Sequence, residues 1–87
     1  MLKKSSTKKI THLRYYAVLR EQRGVSSELV KTEAQTAFEL YNELKKKYHF
    51  SLATKVLRIA INSEFKDWST KIKSNDEIIF VPPVAGG

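Results

Sequence analysis

Alternation of apolar and polar residues predicts two strands in the first third of the chain. Residues 11–19 alternate as a strand does, and the side expected to face the core carries Leu13, Tyr15 and Ala17. A short helical turn over residues 20–22 and a turn at Gly24 should follow. Residues 28–34 then predict a weaker strand, which would pair antiparallel with the first and lie at the edge of a sheet.

Helical periodicity replaces alternation after residue 35. Thr36 and Glu39 have the spacing of a capping box, in which hydroxyl and carboxylate oxygens each accept a hydrogen bond from a backbone amide at the helix start. Apolar residues then recur on one stripe, at Ala37, Leu40, Tyr41, Leu44 and Tyr48. The pattern predicts one helix of about a dozen residues that ends near His49.

Strand patterns return in the last third. Residues 56–61 alternate, with one face formed by Leu57, Ile59 and Ile61. Asn62 and Ser63 predict a tight turn into a short return strand, and the isolated Ile72 should fill the core from a loop. Residues 77–81 are apolar on both sides, which is typical of a central strand.

This order of elements predicts an α+β fold of the ubiquitin-like β-grasp type. In that pattern the first and last strands lie side by side in parallel at the centre of a mixed sheet, and one main helix covers one face. Ile79 and Val81 lie on the uncovered face, and an open apolar face indicates a partner surface. The expected organisation is a disordered basic leader at 1–9, a folded domain at 10–81 and an extended C-terminal tail at 82–87.

Composition narrows the class of protein. With 87 residues the chain supports one domain, and without cysteine it has neither disulfides nor thiolate metal ligands. We find no signal peptide and no apolar run approaching the roughly 18 residues of a membrane span. A cytoplasmic protein that does not bind membranes is therefore expected.

The formal charge of +7 raises the possibility of nucleic-acid binding. Four lysines of the leader account for more than half of it, and removing them lowers the charge from +7 to +3. A second run, residues 45–47, falls in the last turn of the predicted helix, where lysines are favoured by the helix dipole. The sequence therefore predicts no nucleic-acid partner.

Conventional catalysis is poorly supported. The two histidines, His12 and His49, are far apart and are expected at the surface, and Asp76 and Glu77 are expected at a turn and a strand start. No metal site and no glycine-rich phosphate loop is predicted, so any nucleotide would be handled by another protein. The one distinctive group that remains is the carboxylate of Gly87.

The tail can make that carboxylate a deliverable reagent. Pro82 and Pro83 favour an extended chain, and Gly86 and Gly87 make an end narrow enough to enter a tight tunnel. Adenylation by ATP would activate the carboxylate, and sulfur could then displace AMP to leave a thiocarboxylate.

Three stretches carry a family resemblance. The run YYAVLRE at 15–21, the segment at 60–62 and DEIIFVPPVAGG at 76–87 resemble the small, sulfur-carrier subunit of molybdopterin synthase. The similarity spans residues 11–87. The chain departs from the family pattern at Asn75, where glycine is usual, but asparagine also tolerates left-handed backbone angles.

The resemblance implies partners and roles. An E1-like adenylyltransferase would use ATP and Mg to adenylate Gly87, a sulfur donor protein would supply sulfur, and the chain itself would bind no cofactor. The tail would enter the large subunit of a heterotetrameric synthase and convert cyclic pyranopterin monophosphate into the molybdopterin dithiolene. The tail residues involved would be Pro82, Pro83, Val84, Ala85, Gly86 and Gly87. The exposed apolar patch that docks on the large subunit and the E1-like enzyme would be Tyr16, Phe65 and Val81.

Three other functions stay open at this point. A carrier for thiamin thiazole synthesis also ends in Gly-Gly, although that family generally lacks the Pro-Pro pair. An activated tail could instead form an isopeptide bond with a lysine, as in ubiquitin-like conjugation. A basic nucleic-acid-binding module is the least favoured.

Overall fold

The structure is a computed structural model that describes residues 8–83. It contains two helices, one short 3-10 turn and five strands. In chain order these are β1 (Lys9–Tyr15), α1 (Ala17–Arg23), β2 (Ser27–Thr32), α2 (Ala37–Tyr48), the 3-10 turn (Thr54–Val56), β3 (Arg58–Ile61), β4 (Glu64–Lys66) and β5 (Glu77–Val81). The sheet therefore begins at Lys9, one residue before the expected start of the folded domain.

The five strands form one mixed sheet in the order β2-β1-β5-β3-β4. β1 and β5 pair in parallel, with Leu13 opposite Ile78, and the other neighbouring strands pair antiparallel. The predictions of an edge strand at β2 and of a central last strand are confirmed. This arrangement is the expected α+β, ubiquitin-like β-grasp topology.

Helix α2 packs on one face of the sheet. Four residues of the predicted stripe, Ala37, Leu40, Tyr41 and Leu44, are buried, and the fifth, Tyr48, is half-buried. The Tyr41 ring lies 5.1 Å from that of Phe80 on β5, centroid to centroid. We call the other face, which carries Arg14, Ala60, Phe65 and Ile79, the open face.

The predicted capping box is present, but one of its two hydrogen bonds uses a different backbone amide. The Glu39 amide donates to Thr36 Oγ1 at 3.2 Å. Glu39 Oε1 accepts from the Gln35 amide at 2.8 Å, one residue before the amide that a standard capping box would use. His49 follows the last turn with φ 61°, so the helix ends where the pattern predicted.

The predicted first strand was too long. It ends at Tyr15, and Ala17–Arg23 form α1 in place of a strand end followed by a brief turn. Ala17 has φ 53°, which turns the chain out of the sheet, so Ala17 is exposed whereas Leu19 is buried. Gly24 then ends α1 at φ 91°, donating its amide to the carbonyl of Arg20.

Two predicted strands were also too long: β2 ends at Thr32 and not at residue 34, and β3 begins at Arg58, with Val56 in the 3-10 turn. Other local predictions are confirmed. Asn62 and Ser63 both have positive φ in the β3–β4 turn, Asn75 has φ 73°, and Ile72 is buried. Both histidines are exposed. Within residues 8–83, no helix has the length and apolar character that crossing a membrane requires.

Candidate functional site

An apolar groove of about 650 Å³ lies on the open face, beside the end of β5. We call it the open-face groove. Its lining consists of Tyr16, Ala17, Ala60, Ser63, Phe65, Ile79, Val81, Pro82 and Pro83.

Strand register builds the floor of this groove. Ala60 on β3 lies opposite Ile79 on β5 and also opposite Phe65 on β4. Directly opposite residues point to the same side of a sheet, so these three side chains form a row. The methyl group of Ala60 is small, which leaves a depression between its two larger neighbours.

The three residues predicted as a docking patch all line the groove. Tyr16 is 45% exposed and Phe65 is 58% exposed, whereas Val81 is half-buried. Tyr16 reaches the groove from the junction between β1 and α1, where its backbone is extended and its carbonyl accepts the Leu19 amide at 3.1 Å. The structure thus brings these residues together, and their role in docking stays a prediction.

The tail leaves the sheet at the groove. Val81 is the last residue of β5 and pairs with Arg58, and Pro82 and Pro83 continue along the groove wall. The positions predicted to carry the chemistry, Val84, Ala85, Gly86 and Gly87, lie outside the described residues. Their roles therefore also stay predictions.

Two arginines that the sequence reasoning did not select lie on the open face. Arg14 Nε donates to Glu77 Oε2 at 3.1 Å, and this contact raises the pKa of Arg14. The guanidinium carbon of Arg58 lies 3.9 Å from the centroid of the Phe65 ring. Strand parity was the available signal for Arg58, because it shares a face with Ala60.

The ThiS family model matches residues 13–87, which is most of the chain and includes the C-terminal tail. The chain belongs to the ThiS family. The resemblance noted in the sequence is confirmed at the same time, because the molybdopterin synthase sulfur carrier subunit of Dictyostelium discoideum is 41% identical over 58 residues. That match covers 63% of this chain and 67% of the relative.

Solved structures similar to this ThiS-family chain share its fold. Subunits 1 and 2 of the Helicobacter pylori molybdopterin-converting factor form a complex that contains one such chain. It is 28% identical, has a TM-score of 0.64, and the match covers 90% of this chain and 99% of that one. The Haloferax volcanii protein HVO 2177 has a TM-score of 0.80 at 19% identity, and the match covers 100% of this chain and 94% of that one. At that identity the likeness shows the fold alone.

A partly buried polar network supports Tyr16 in this ThiS-family chain. Tyr15 Oη donates to Glu28 Oε2 at 2.6 Å, and Arg23 donates to both oxygens of Glu28, at 2.9 and 2.7 Å. Burial and the bond to Glu28 raise the pKa of Tyr15. The network joins β1, α1 and β2 and so holds the junction from which Tyr16 projects.

Asp76, expected at a turn, is there but is buried. Its Oδ2 accepts the Lys73 amide at 2.7 Å, and its Oδ1 accepts from the side chain of Asn62. Because the turn before β5 is tied in this way to the β3–β4 turn, the position from which β5 starts is fixed.

Proposed function

We propose that this chain is a sulfur carrier for molybdopterin synthesis, with Gly87 as the carrying residue. The observation that supports this most directly is the open-face groove at the root of a Val81-Pro82-Pro83 extension that leads to a Gly-Gly end. The family match over residues 13–87 and the name of the Dictyostelium relative support the same function.

The chemistry would begin at the carboxylate. An E1-like adenylyltransferase with Mg would let a Gly87 carboxylate oxygen attack the α-phosphorus of ATP, which forms the acyl adenylate and releases pyrophosphate. Sulfur delivered as a hydrosulfide equivalent by a donor protein would then attack the carbonyl carbon and expel AMP. The product is a thiocarboxylate, and no change of oxidation state is needed.

The large subunit of molybdopterin synthase is the proposed acceptor complex. The Helicobacter pylori structure, which holds subunits 1 and 2 together, supports a partner of this kind. We place that partner over Tyr16, Phe65 and Val81, with the tail extended into it. Each thiocarboxylate would transfer its sulfur to cyclic pyranopterin monophosphate and return, with oxygen from water, as a carboxylate.

In this function the chain is not an enzyme by itself. The pterin would be bound by the partner. The folded domain would present the tail and choose the protein that receives it, within a heterotetrameric synthase.

Intact-mass measurement tests the proposal. The chain is incubated with the E1-like enzyme, ATP and sulfide, and its mass should rise by the difference between a sulfur and an oxygen atom. The variant that lacks Gly87 should show no rise. An unchanged mass for the full chain in a mixture where another carrier is converted would overturn the proposal, and higher-mass lysine adducts would indicate conjugation instead.

A further inference from the structure

Arg58 occupies a distinctive place beside the open-face groove. It is the first residue of β3, exposed, and paired with Val81 at the root of the tail. Its guanidinium lies over the Phe65 ring at 3.9 Å, within the range of a cation–π contact. The stack holds a positive charge against the most exposed side chain of the predicted docking patch.

Two other cations on or near this face have carboxylate partners. Arg14 pairs with Glu77 at 3.1 Å, and Lys66 pairs with Glu64 at 3.0 Å. Within residues 8–83, Arg58 has no carboxylate oxygen within 4.0 Å. Asp67 shares a neighbouring depression with Arg58 but does not form an ion pair with it.

Covering Phe65 would also cover Arg58. The two side chains are in contact, so a protein that removes the ring from water must also remove part of the guanidinium from water. A guanidinium carries five N–H donors and stays charged, and burying it without acceptors is costly. A partner that binds this groove tightly therefore has to supply acceptors at this point.

We propose that Arg58 is a specificity-determining residue of the groove and pairs with an aspartate or glutamate carboxylate of the docked partner. A carboxylate fits because its two oxygens match the guanidinium fork, and because Arg58 forms no ion pair within residues 8–83. This inference rests on the proposed function, which makes the large synthase subunit the occupant. A partner with an apolar surface but no acidic residue at this point is thereby selected against.

Calorimetric titration against the cognate large subunit tests the pairing. We expect Arg58→Gln to weaken binding at least about tenfold and to reduce its dependence on salt, as loss of one member of a desolvated ion pair does. The affinity of Arg58→Lys should lie between those of the wild type and Arg58→Gln. Lys31→Gln is the matched control, because it removes the same charge from the exposed surface of β2, which is separated from β3 by two strands.

A cross-linking measurement gives an independent result. A carbodiimide adds to a carboxylate to form an O-acylisourea, and an amine then attacks the acyl carbon to form an amide while the carbodiimide leaves as its urea. The Arg58→Lys chain should therefore form a new cross-link to one acidic residue of the partner, which the wild type cannot form at this position.

The outcomes distinguish loss of the Arg58 ion pair from failure of the proposed function. Wild-type affinity and salt dependence in Arg58→Gln would overturn the inference. If Phe65→Ala still weakens binding in that case, the proposed docking surface stands without the ion pair. If the wild-type chain does not bind the large subunit at all, the proposed function fails and the inference fails with it.

Discussion

The side chain of Asn62 donates to Asp76 Oδ1 at 2.9 Å and joins two turns that are separate in the chain. Its own Oδ1 accepts the amide of Glu77 at 2.9 Å, and its backbone amide donates to the carbonyl of Glu77 at 2.8 Å. One residue of the β3–β4 turn thus fixes the first residue of β5. Since Pro82 and Pro83 continue from β5, Asn62 also helps to position these two residues at the start of the tail.

Replacing Asn62 should therefore destabilise the fold. Asn62→Ala removes both side-chain hydrogen bonds. It also places alanine at φ 52°, a left-handed angle that is strained for a residue with a Cβ and no polar side chain. We expect a loss of about 1–3 kcal/mol in the free energy of unfolding. Urea denaturation followed by the fluorescence of Trp68, the single tryptophan, measures it.

Asn62→Gly separates the two causes. Glycine accepts a positive φ without strain but makes no side-chain hydrogen bond. Its stability should fall between those of the wild type and Asn62→Ala. An Asn62→Ala chain as stable as the wild type would show that the bridge between the turns contributes nothing.

Glu28 should make stability depend on pH in the acid range. Burial opposes its ionisation, but hydrogen bonds from Arg23 and Tyr15 hold the pKa of Glu28 below its usual value. A carboxyl whose pKa is lowered by folding stabilises the protein fully above the unfolded-state pKa of about 4.3. That contribution is lost as pH falls through the lower pKa of the folded state.

Glu28→Gln should remove this dependence. At pH 7 we expect it to be less stable by about 1.5–3 kcal/mol, the range for hydrogen bonds to a charged group. Below about pH 4.3 its stability should decline less steeply than that of the wild type. Glu21→Gln, at an exposed position of α1, is the control for the loss of a carboxylate. If the free energy of unfolding depends on pH equally steeply in all three chains, the prediction is wrong.

Phe65 should matter more for docking than for folding. The ring is 58% exposed, so Phe65→Ala should change the free energy of unfolding by less than about 1 kcal/mol. Because Phe65 is an aromatic anchor of the groove, Phe65→Ala should weaken binding to the large subunit by about 2 kcal/mol or more. Titration calorimetry and urea denaturation on the same samples measure the two quantities.

Leu29→Ala is the matched control for this experiment. Leu29 is 65% exposed and pairs with His12 on the same open face, but it lies on the opposite edge strand. Its removal should leave binding unchanged. Equal losses of affinity in the two variants would mean that the groove is not the docking site.

Thr36 should stabilise α2 through its cap. Thr36→Ala leaves the Glu39 amide without the oxygen that accepts its hydrogen bond, and a loss of about 0.5–2 kcal/mol is expected. Thr36→Ser keeps the oxygen, and its stability should be close to that of the wild type. Thermal unfolding by circular dichroism compares the three chains, and a Ser variant as unstable as the Ala variant would assign the effect to packing.

Much of the sheet could be predicted because alternation follows directly from strand geometry. Leu57 and Ile59 face the core since successive side chains of a strand point to opposite faces. The same parity put Val81 on the open face before any contact was known, and the family resemblance added Phe65. The apolar character of Ile79 on the second side of β5 predicted that this face would need a cover.

Helix α1 could not be predicted in the same way. Tyr15 and Leu19 are both buried, and a spacing of four residues suits a strand as well as a helix. The change of direction occurs at Ala17, whose positive φ has none of the glycine or asparagine signal that usually accompanies it. Tertiary contacts therefore decide this segment.

Contacts between side chains were the other part that escaped prediction. The stack of Arg58 on Phe65 depends on the register of β3 against β4, which alternation does not specify. The contacts of Glu28 with Tyr15 and Arg23 depend on where α1 packs. The polar members of the site were consequently harder to predict than its apolar ones.

The parallel pairing of β1 with β5 joins residues that are far apart in the chain. Residues such as Leu13 and Ile78 meet only after the chain between them has closed a long loop, whereas the β1–β2 hairpin closes a short one. The open-face groove takes Tyr16 from one end of that loop and Val81 from the other. A half-folded chain therefore has no groove, and a partner that binds there distinguishes a finished carrier from an unfinished one.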